Sequence, residues 1–180
     1  MKNKLQNFWY YHKIHSIIIL VVLVIGVYFL LTQQNSVKSD YDIAIVSAQG
    51  CSDEQMAQIR DVFQQAGTDQ NGDGAVTVKV HLYRFAIGES GQDREAVAGL
   101  DADLVGKISG IFFVDNPERF EAATNGLGKA ADSIPAQSIP ELTACGIDDL
   151  SLLIRAQADE RYNQMLSALI PVSFMPPSAL

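Results

Sequence analysis

The segment from Asp69 to Val76 has the residue types and the spacing of a calcium-binding loop. It reads Asp-Gln-Asn-Gly-Asp-Gly-Ala-Val, which fits the pattern D-x-N-x-D-G-x-V. In such a loop the side-chain oxygens of positions 1, 3 and 5 converge on one hard cation. Glycine at position 6 permits the sharp turn, and position 7 offers a backbone carbonyl. The pattern therefore predicts a Ca²⁺ site formed by the side chains of Asp69, Asn71 and Asp73 and the carbonyl of Ala75.

The loop departs from the usual helix-flanked calcium motif at its twelfth position, where Val80 stands in place of a bidentate glutamate. The segment that follows the loop is also a predicted strand and not a helix. Another carboxylate or water would have to complete the metal shell. The alternative is a tight turn between a helix and a strand, since Asn-Gly and Asp-Gly form turns without any metal. The sequence leaves both interpretations open.

Few other residues have the types and spacing that catalysis requires. Asp115 directly follows a predicted buried strand, where ligands of open parallel sheets bind. The alternative roles of such an aspartate are capping the next helix or binding loop amides. His81 is the one histidine after residue 40, and we expect it to be a surface residue. The chain also lacks a phosphate-binding glycine loop and a nucleophile-elbow motif, so we predict a protein that is not an enzyme.

The two cysteines, Cys51 and Cys145, have a spacing that matches no metal-binding pattern. An extracytoplasmic pair can form a disulfide, but a domain of about 140 residues buries enough surface to be stable without one. We expect the thiols to be unpaired. They follow the first predicted strand and precede the last, and those loops can lie at opposite ends of a sheet. A disulfide requires Cα atoms within about 7 Å of each other.

The N-terminal part of the chain contains a candidate membrane anchor. An uncharged apolar run covers residues 17–31, and Ser16 and Thr32 extend it to about 17 residues, the lower limit for a spanning helix. No small-x-small cleavage site follows the run, so we predict a retained anchor and not a cleaved signal peptide. Three lysines precede the run and one follows it closely. This bias places the N-terminus in the cytoplasm and the remainder of a single-pass cell-membrane protein outside.

The predicted organisation has four parts, which are a cytoplasmic N-terminus (residues 1–15), the transmembrane anchor (16–32), a linker (33–40) and an extracytoplasmic domain (41–180). All 21 acidic residues and 9 of the 13 basic residues lie after residue 39. So acidic a domain excludes nucleic acid as a partner, because nucleic acid binds basic surfaces. It also argues against docking of the domain on anionic lipid headgroups. We therefore expect the protein to contact the membrane through its N-terminal helix.

Hydrophobic periodicity alternates between strands and helices after residue 40. Strands are predicted over residues 42–47, 76–83, 108–114 and 150–155. Helices are predicted over residues 52–66, 93–107, 116–124 and 158–169, with a loop over 126–144. Ser52 with Gln55 predicts a capping box at the start of the first helix, and Asn116-Pro117 predicts the start of the third. The residues predicted to face the core are Val97, Leu100, Leu104 and Val105 in the second helix, and Tyr162, Met165, Leu166 and Leu169 in the fourth. The order β-α-β-α-β-α-loop-β-α predicts an α/β fold with a mainly parallel sheet and flanking helices.

Four stretches together resemble a group of small membrane-anchored bacterial proteins of unassigned function. They read FWYYHKIHSIII, GTDQNGDGAVTVKV, ADLVGKISGIFFVDNPERF and GIDDLSLLIRAQ. The outer domain of that group resembles one lobe of extracellular solute-binding proteins. The resemblance implies an α/β domain, and it implies neither an activity nor site residues. A complete solute-binding protein has two lobes with the ligand between them, whereas residues 41–180 suffice for one.

Three functions are consistent with these observations. The first is a non-enzymatic extracytoplasmic domain, an accessory or sensing module with a protein partner, stabilised by Ca²⁺. The second is a reduced solute-binding domain that captures a small ligand at the C-terminal ends of the strands. The third is an enzyme of a type that no motif reveals. A cleft at the strand ends with convergent polar groups would favour the second.

Overall fold

The computed structural model describes residues 18–27, 39–87, 93–156 and 158–170. The chain divides into two compact units, Met1–Lys38 and Ser39–Leu180. In the first unit, residues 18–27 form a helix (α1) with exposed side chains. No helix within the described ranges is both long enough and apolar enough to cross a bilayer. The predicted anchor at residues 16–32 extends past α1 at both ends and so lies partly outside the described residues.

The second unit alternates strands and helices, as its periodicity predicts. Its elements are β1 (Tyr41–Val46), α2 (Asp53–Ala66), β2 (Val78–Tyr83), α3 (Arg94–Gly106), β3 (Ile111–Val114), α4 (Pro117–Ala123), β4 (Ile134–Pro135), α5 (Pro140–Thr143), β5 (Ser151–Ile154) and α6 (Glu160–Leu169). Every predicted strand and helix is present, although two strands begin two or three residues later than predicted. The short elements β4 and α5 lie in the segment that we predicted to be a loop.

The five strands form one mixed sheet in the order β2-β1-β3-β5-β4. β1 pairs in parallel with both β2 and β3, whereas β5 is antiparallel to β3 and to β4. The α/β class is therefore confirmed, but the sheet is mixed and not purely parallel. The reason lies in α5, which has four residues and is about 6 Å long. So short a helix does not carry the chain back to the other end of the strands, as a parallel connection requires.

The sheet separates two apolar layers. One face packs against α2, α5 and α6, and the other packs against α3 and α4. The inward residues predicted for α6 are confirmed, and all of them are buried: Tyr162, Met165, Leu166 and Leu169. In α3 the prediction is wrong for Val105, which is 85% exposed. The buried residues of α3 are Leu100 and Asp103, so a carboxylate occupies the inward position three residues after Leu100.

Candidate functional site

The strand order reverses around β1, because β2 lies on one side of it and β3 on the other. In open α/β sheets, ligands bind outside the carboxyl ends of the strands at such a reversal. The loop Ser47–Ser52 follows β1 at this edge, Arg84 follows β2 and Asp115 follows β3. Because β5 runs antiparallel to β3, the loop that precedes β5 lies at the same edge. Four separate segments therefore meet at the carboxyl edge of the parallel strands.

A cleft of about 370 Å³ opens at this edge. We call it the carboxyl-edge cleft. Its walls are the loop Ser47–Ser52, the side chains of Gln55 and Arg84, and the segment from Gly146 to Leu150. Most of the lining side chains are polar, so the cleft suits a hydrated ligand better than an apolar one.

Arg84 owes its position in the cleft to Gly50. Gly50 has a positive φ of 77°, and a Cβ built on it would collide with Nε of Arg84. The left-handed backbone favours glycine here, and the missing side chain lets the guanidinium group approach closely. The Arg84 side chain lies against the backbone of the β1–α2 loop and presents an exposed guanidinium, a group that binds carboxylates and phosphates through paired hydrogen bonds.

The first turn of α2 fixes a second wall of the cleft. Ser52 and Gln55 form the predicted capping box, in which Ser52 Oγ accepts from the Gln55 backbone N–H at 3.2 Å and Gln55 Oε1 accepts from the Ser52 N–H at 2.9 Å. The amide nitrogen Nε2 of Gln55 then donates to the carbonyl of Gly146 at 2.8 Å. One side chain thus caps the helix and holds the loop before β5 against it.

Cys51 and Cys145 are free thiols in the structure, and both are buried. Their loops do not lie at opposite ends of the sheet, because the antiparallel direction of β5 brings both to one edge. Burial raises the pKa of both thiols, and the neighbouring Cys145 and Asp149 raise the pKa of Cys51 further. A nucleophilic cysteine needs a lowered pKa. The cleft therefore lacks an activated thiol, even though Cys51 lies in its wall.

Asp115 binds a loop amide, which is one of the roles that the sequence left open. Its Oδ2 accepts from the backbone N–H of Ala48 at 3.1 Å. The neighbouring Asn116 caps α4 by accepting from the N–H of Arg119 at 2.9 Å. Asp115 thus holds the β1–α2 loop in place at the edge of the cleft.

His81 is not the simple surface residue that we predicted. Its Nε2 lies 3.0 Å from Oδ1 of Asp42, on the neighbouring strand. The hydrogen bond with Asp42 raises the pKa of His81, although partial burial of the ring opposes this effect. Burial alone would raise the pKa of Asp42, but hydrogen bonds from His81 and Ser39 outweigh it and lower that pKa. The partner was not evident from the sequence because it lies 39 residues away.

The predicted calcium loop, residues 69–75, precedes β2 and therefore lies at the opposite edge of the sheet from the carboxyl-edge cleft. Its side-chain oxygens accept hydrogen bonds from its own amides: Asp69 from Gly72 (2.7 Å) and Gly74 (2.8 Å), Asn71 from Asp73 (2.8 Å), and Asp73 from Ala75 (2.9 Å). These bonds from the Gly74 and Gly72 amides lower the pKa of Asp69. The loop is thus closed by the same side chains that we predicted to bind Ca²⁺.

Asp40 supports this loop, although we predicted the residue to lie in the linker. The residue is 1% exposed. Its carboxylate accepts from the backbone N–H groups of Gln70 (2.9 Å), Asn71 (3.0 Å) and Thr77 (2.7 Å). Across the described ranges of the chain, no three His, Cys, Asp or Glu side chains lie close enough together to hold a metal ion. Asp40 contacts the loop directly, but its oxygens already accept from three backbone amides.

A second buried carboxylate, Asp103, lies at the end of α3. Its oxygens accept from the Ser109 N–H (2.8 Å), the Ser109 hydroxyl (2.6 Å) and the Tyr83 hydroxyl (3.0 Å). Arg155, also buried, donates to the carbonyls of Ser109 and Leu104. The cluster joins β2, α3 and the segment after β5. Because its polar groups are paired with each other, it holds the fold together and does not present a site.

Comparison of the chain with protein-family models, with curated proteins and with solved structures gives no match.

Proposed function

We propose that this chain is a non-enzymatic binding module that holds its α/β domain outside the cytoplasm and binds a small anionic solute in the carboxyl-edge cleft. The observation that carries the proposal is the placement of Arg84, packed against Gly50, in a polar cleft where the strand order reverses. This role is the second of the three functions that are consistent with the sequence, the reduced solute-binding domain.

The guanidinium group of Arg84 favours an anionic group on the ligand. Arg84 is the one cation among the lining residues, in a domain with 21 acidic and 9 basic side chains. The first turn of the 14-residue helix α2 opens at Ser52 in the same wall, and helix N-termini favour anions. The carboxylate of Asp149 and the amide of Gln49 line the cleft as well. They suit hydroxyl or amino groups on the remainder of the solute.

The absence of activated groups in the cleft supports binding over catalysis. The described lining residues include neither histidine nor lysine, and the thiol of Cys51 has a raised pKa. Ser47 and Ser52 therefore have no neighbouring imidazole to accept a proton, as nucleophilic catalysis by serine requires.

Thermal unfolding in the presence of small solutes tests the cleft. We expect one class among monocarboxylates, amino acids and phosphate monoesters to raise the melting temperature, because a ligand at a hundred times its Kd stabilises the native state by about 2.7 kcal/mol. Arg84→Ala should weaken binding at least about tenfold, since a hydrogen bond to a charged group contributes about 1.5–3 kcal/mol. Arg94→Ala removes an exposed arginine outside the cleft and is the control. Equal affinities of the Arg84→Ala variant and the wild type would refute the assignment.

The location outside the cytoplasm rests on the apolar run and the lysine bias around residues 16–32. Protease added to intact cells should digest the domain, and extraction of the undigested chain should require detergent. Recovery of the domain as a soluble species trimmed at its N-terminus would contradict a retained anchor.

A structural calcium site at residues 69–75 is the second proposal. Its support is that Asp69, Asn71 and Asp73 belong to one closed loop, in which Gly72 and Gly74 have the positive φ values that the sharp turn needs. The lowered pKa of Asp69 keeps its carboxylate ionised. With few fixed charges we expect weak binding, with a Kd of about 10⁻⁴ to 10⁻³ M.

Calcium should therefore raise the melting temperature of the wild type. At a calcium concentration of about ten times the Kd, the native state gains about 1.4 kcal/mol. Asp73→Ala should abolish this increment without unfolding the domain, whereas Asp61→Ala, at an exposed position of α2, should keep it. If the wild-type curve is the same in millimolar calcium and in chelator, the loop is only a turn.

A further inference from the structure

β2 is a long, open edge of the sheet. Within the described part of the chain it pairs only with β1, and it contains six residues without proline. The opposite edge strand, β4, has two residues, of which one is Pro135. Short strands and proline protect an edge from further pairing, and that protection is absent from β2. The two edges of the sheet therefore differ in their capacity to accept another strand.

The outward backbone groups of β2 can be assigned from its hydrogen bonds to the first strand. The carbonyl of Thr77 accepts from Asp40 N–H at 2.8 Å, and that of Tyr83 accepts from Ser47 N–H at 3.3 Å. Backbone groups alternate in direction along a strand, so the odd-numbered residues point toward β1. The N–H and C=O groups of Val78, Val80 and Leu82 therefore point away from the sheet.

A groove of about 440 Å³ runs between this edge and α2. We call it the edge groove. Its floor is residues 78–81 of β2, and its wall on α2 includes Met56, Ala57 and Arg60. Val80 is only partly buried, in contrast to the apolar residues of β1 and β3, which are fully buried. The edge groove thus combines apolar side chains with the outward N–H and C=O groups of β2, the two features that β-strand addition uses.

Basic residues line the edge groove in an acidic domain: Arg60, Lys79 and His81, with Asp53 as the one acid. His81 is paired with Asp42, and Nε of Arg60 lies 3.8 Å from Oδ1 of Asp61. Exposed Lys79, on the face of β2 opposite to Val78 and Val80, is therefore the main source of positive potential along this edge. The complementary partner is acidic. A second copy of this chain is disfavoured as the partner, because β2 contains Lys79 and no acidic residue that could pair with it.

We propose that an extended segment of another protein, with acidic and small apolar side chains in alternation, binds along β2 as an additional strand. Successive side chains of a strand point to opposite faces. The apolar ones would pack on Met56 and Ala57, on the face covered by α2. The acidic ones would lie beside Lys79 on the other face. The inference concerns the edge groove and is independent of the solute proposed for the carboxyl-edge cleft.

Fluorescence anisotropy with defined peptides tests the proposal on the full-length chain in neutral detergent. The probe is a labelled peptide of alternating glutamate and valine, compared with one of alternating lysine and valine. We expect only the first to bind. Val80→Pro should weaken its binding at least about tenfold, because proline removes an outward N–H and is tolerated on an edge strand. Lys79→Glu should also weaken it, and Lys129→Glu, at an exposed lysine outside the edge groove, should not.

Several results would overturn the proposal. They are equal binding of the two peptides, undiminished binding to both the Val80→Pro and the Lys79→Glu variants, and no binding at all. A self-association of the chain that Val80→Pro abolishes in sedimentation experiments would show a second copy to be the occupant instead. If Val80→Pro lowers the melting temperature, the Lys79→Glu and Arg60→Glu variants decide the matter without altering the backbone. Arg84→Ala should leave peptide binding unchanged, which separates this test from that of the solute.

Discussion

Asp103→Ala is expected to lower the free energy of unfolding by about 3–5 kcal/mol, since it leaves two buried donors and one partly buried donor without an acceptor. Those donors are the N–H and hydroxyl of Ser109 and the hydroxyl of Tyr83. Burial raises the pKa of Tyr83, and the Asp103 carboxylate raises it further, so the hydroxyl remains a donor at neutral pH. Alanine removes the acceptors but fills little of the space. Urea unfolding of the detergent-solubilised chain, followed by circular dichroism, measures the loss.

Two further substitutions separate the lost hydrogen bonds from a general effect on α3. Asp101→Ala changes an exposed aspartate of the same helix and should alter stability by no more than about 0.5 kcal/mol. Asp103→Asn keeps the shape and one acceptor oxygen, but it turns an NH₂ group toward a donor, so its effect should be intermediate. Equal stabilities of the Asp103→Ala and Asp101→Ala variants would contradict the role assigned to this carboxylate.

The local parts of the fold were predictable because their signals are local. The capping box at Ser52 and the Asn116-Pro117 start of α4 were identified from adjacent residues, and both are present in the structure. Strand direction was not predictable in the same way. It depends on where the chain goes between β3 and β5, and that segment holds only short elements with weak periodicity. An alternating order of strands and helices therefore indicated the α/β class but not the mixed sheet.

Polar residues on inward positions were the second source of error. In α3 the apolar periodicity suggested that Val105 faces the core, whereas Asp103 does so. A carboxylate is buried only where donors satisfy it, and here the donors come from β2 and from Ser109. Hydrophobic periodicity depends only on the polarity of each side chain and takes no account of its hydrogen-bond partners. It therefore assigns a buried aspartate such as Asp103 to the surface.

The candidate sites differ in predictability for the same reason. The predicted calcium ligands lie within one short segment, residues 69–75, so the motif could be recognised directly. The carboxyl-edge cleft is assembled from segments that are far apart, and the contact of Gly50 with Arg84 links two different loops. The pairing of His81 with Asp42 likewise requires the strand register. In each case the chemistry arises from strand pairing, which a single sequence does not specify.

Asp40→Ala is expected to lower the free energy of unfolding by about 2–4 kcal/mol, because the carboxylate accepts from three backbone amides of the segment between α2 and β2. Two of those amides, of Gln70 and Asn71, belong to exposed residues that water can reach, so the loss should be smaller than for Asp103→Ala. The hydrogen bond from the Thr77 N–H to Asp40 lies outside the loop. It joins the residue before β1 to the residue before β2, where the parallel pairing begins.

Hydrogen exchange distinguishes this anchoring role from a general contribution to stability. In the Asp40→Ala variant, amide protection should fall first at Gln70, Asn71 and Thr77, while that of the buried strand β3 should fall only as far as global stability does. Asp40→Asn keeps one oxygen for the two loop amides and should lose protection mainly at Thr77. Because Asp40 orders the segment that contains the predicted calcium ligands, its removal should also weaken any calcium-dependent rise in melting temperature. Unchanged exchange at all three amides would show that the loop is held by its internal hydrogen bonds alone.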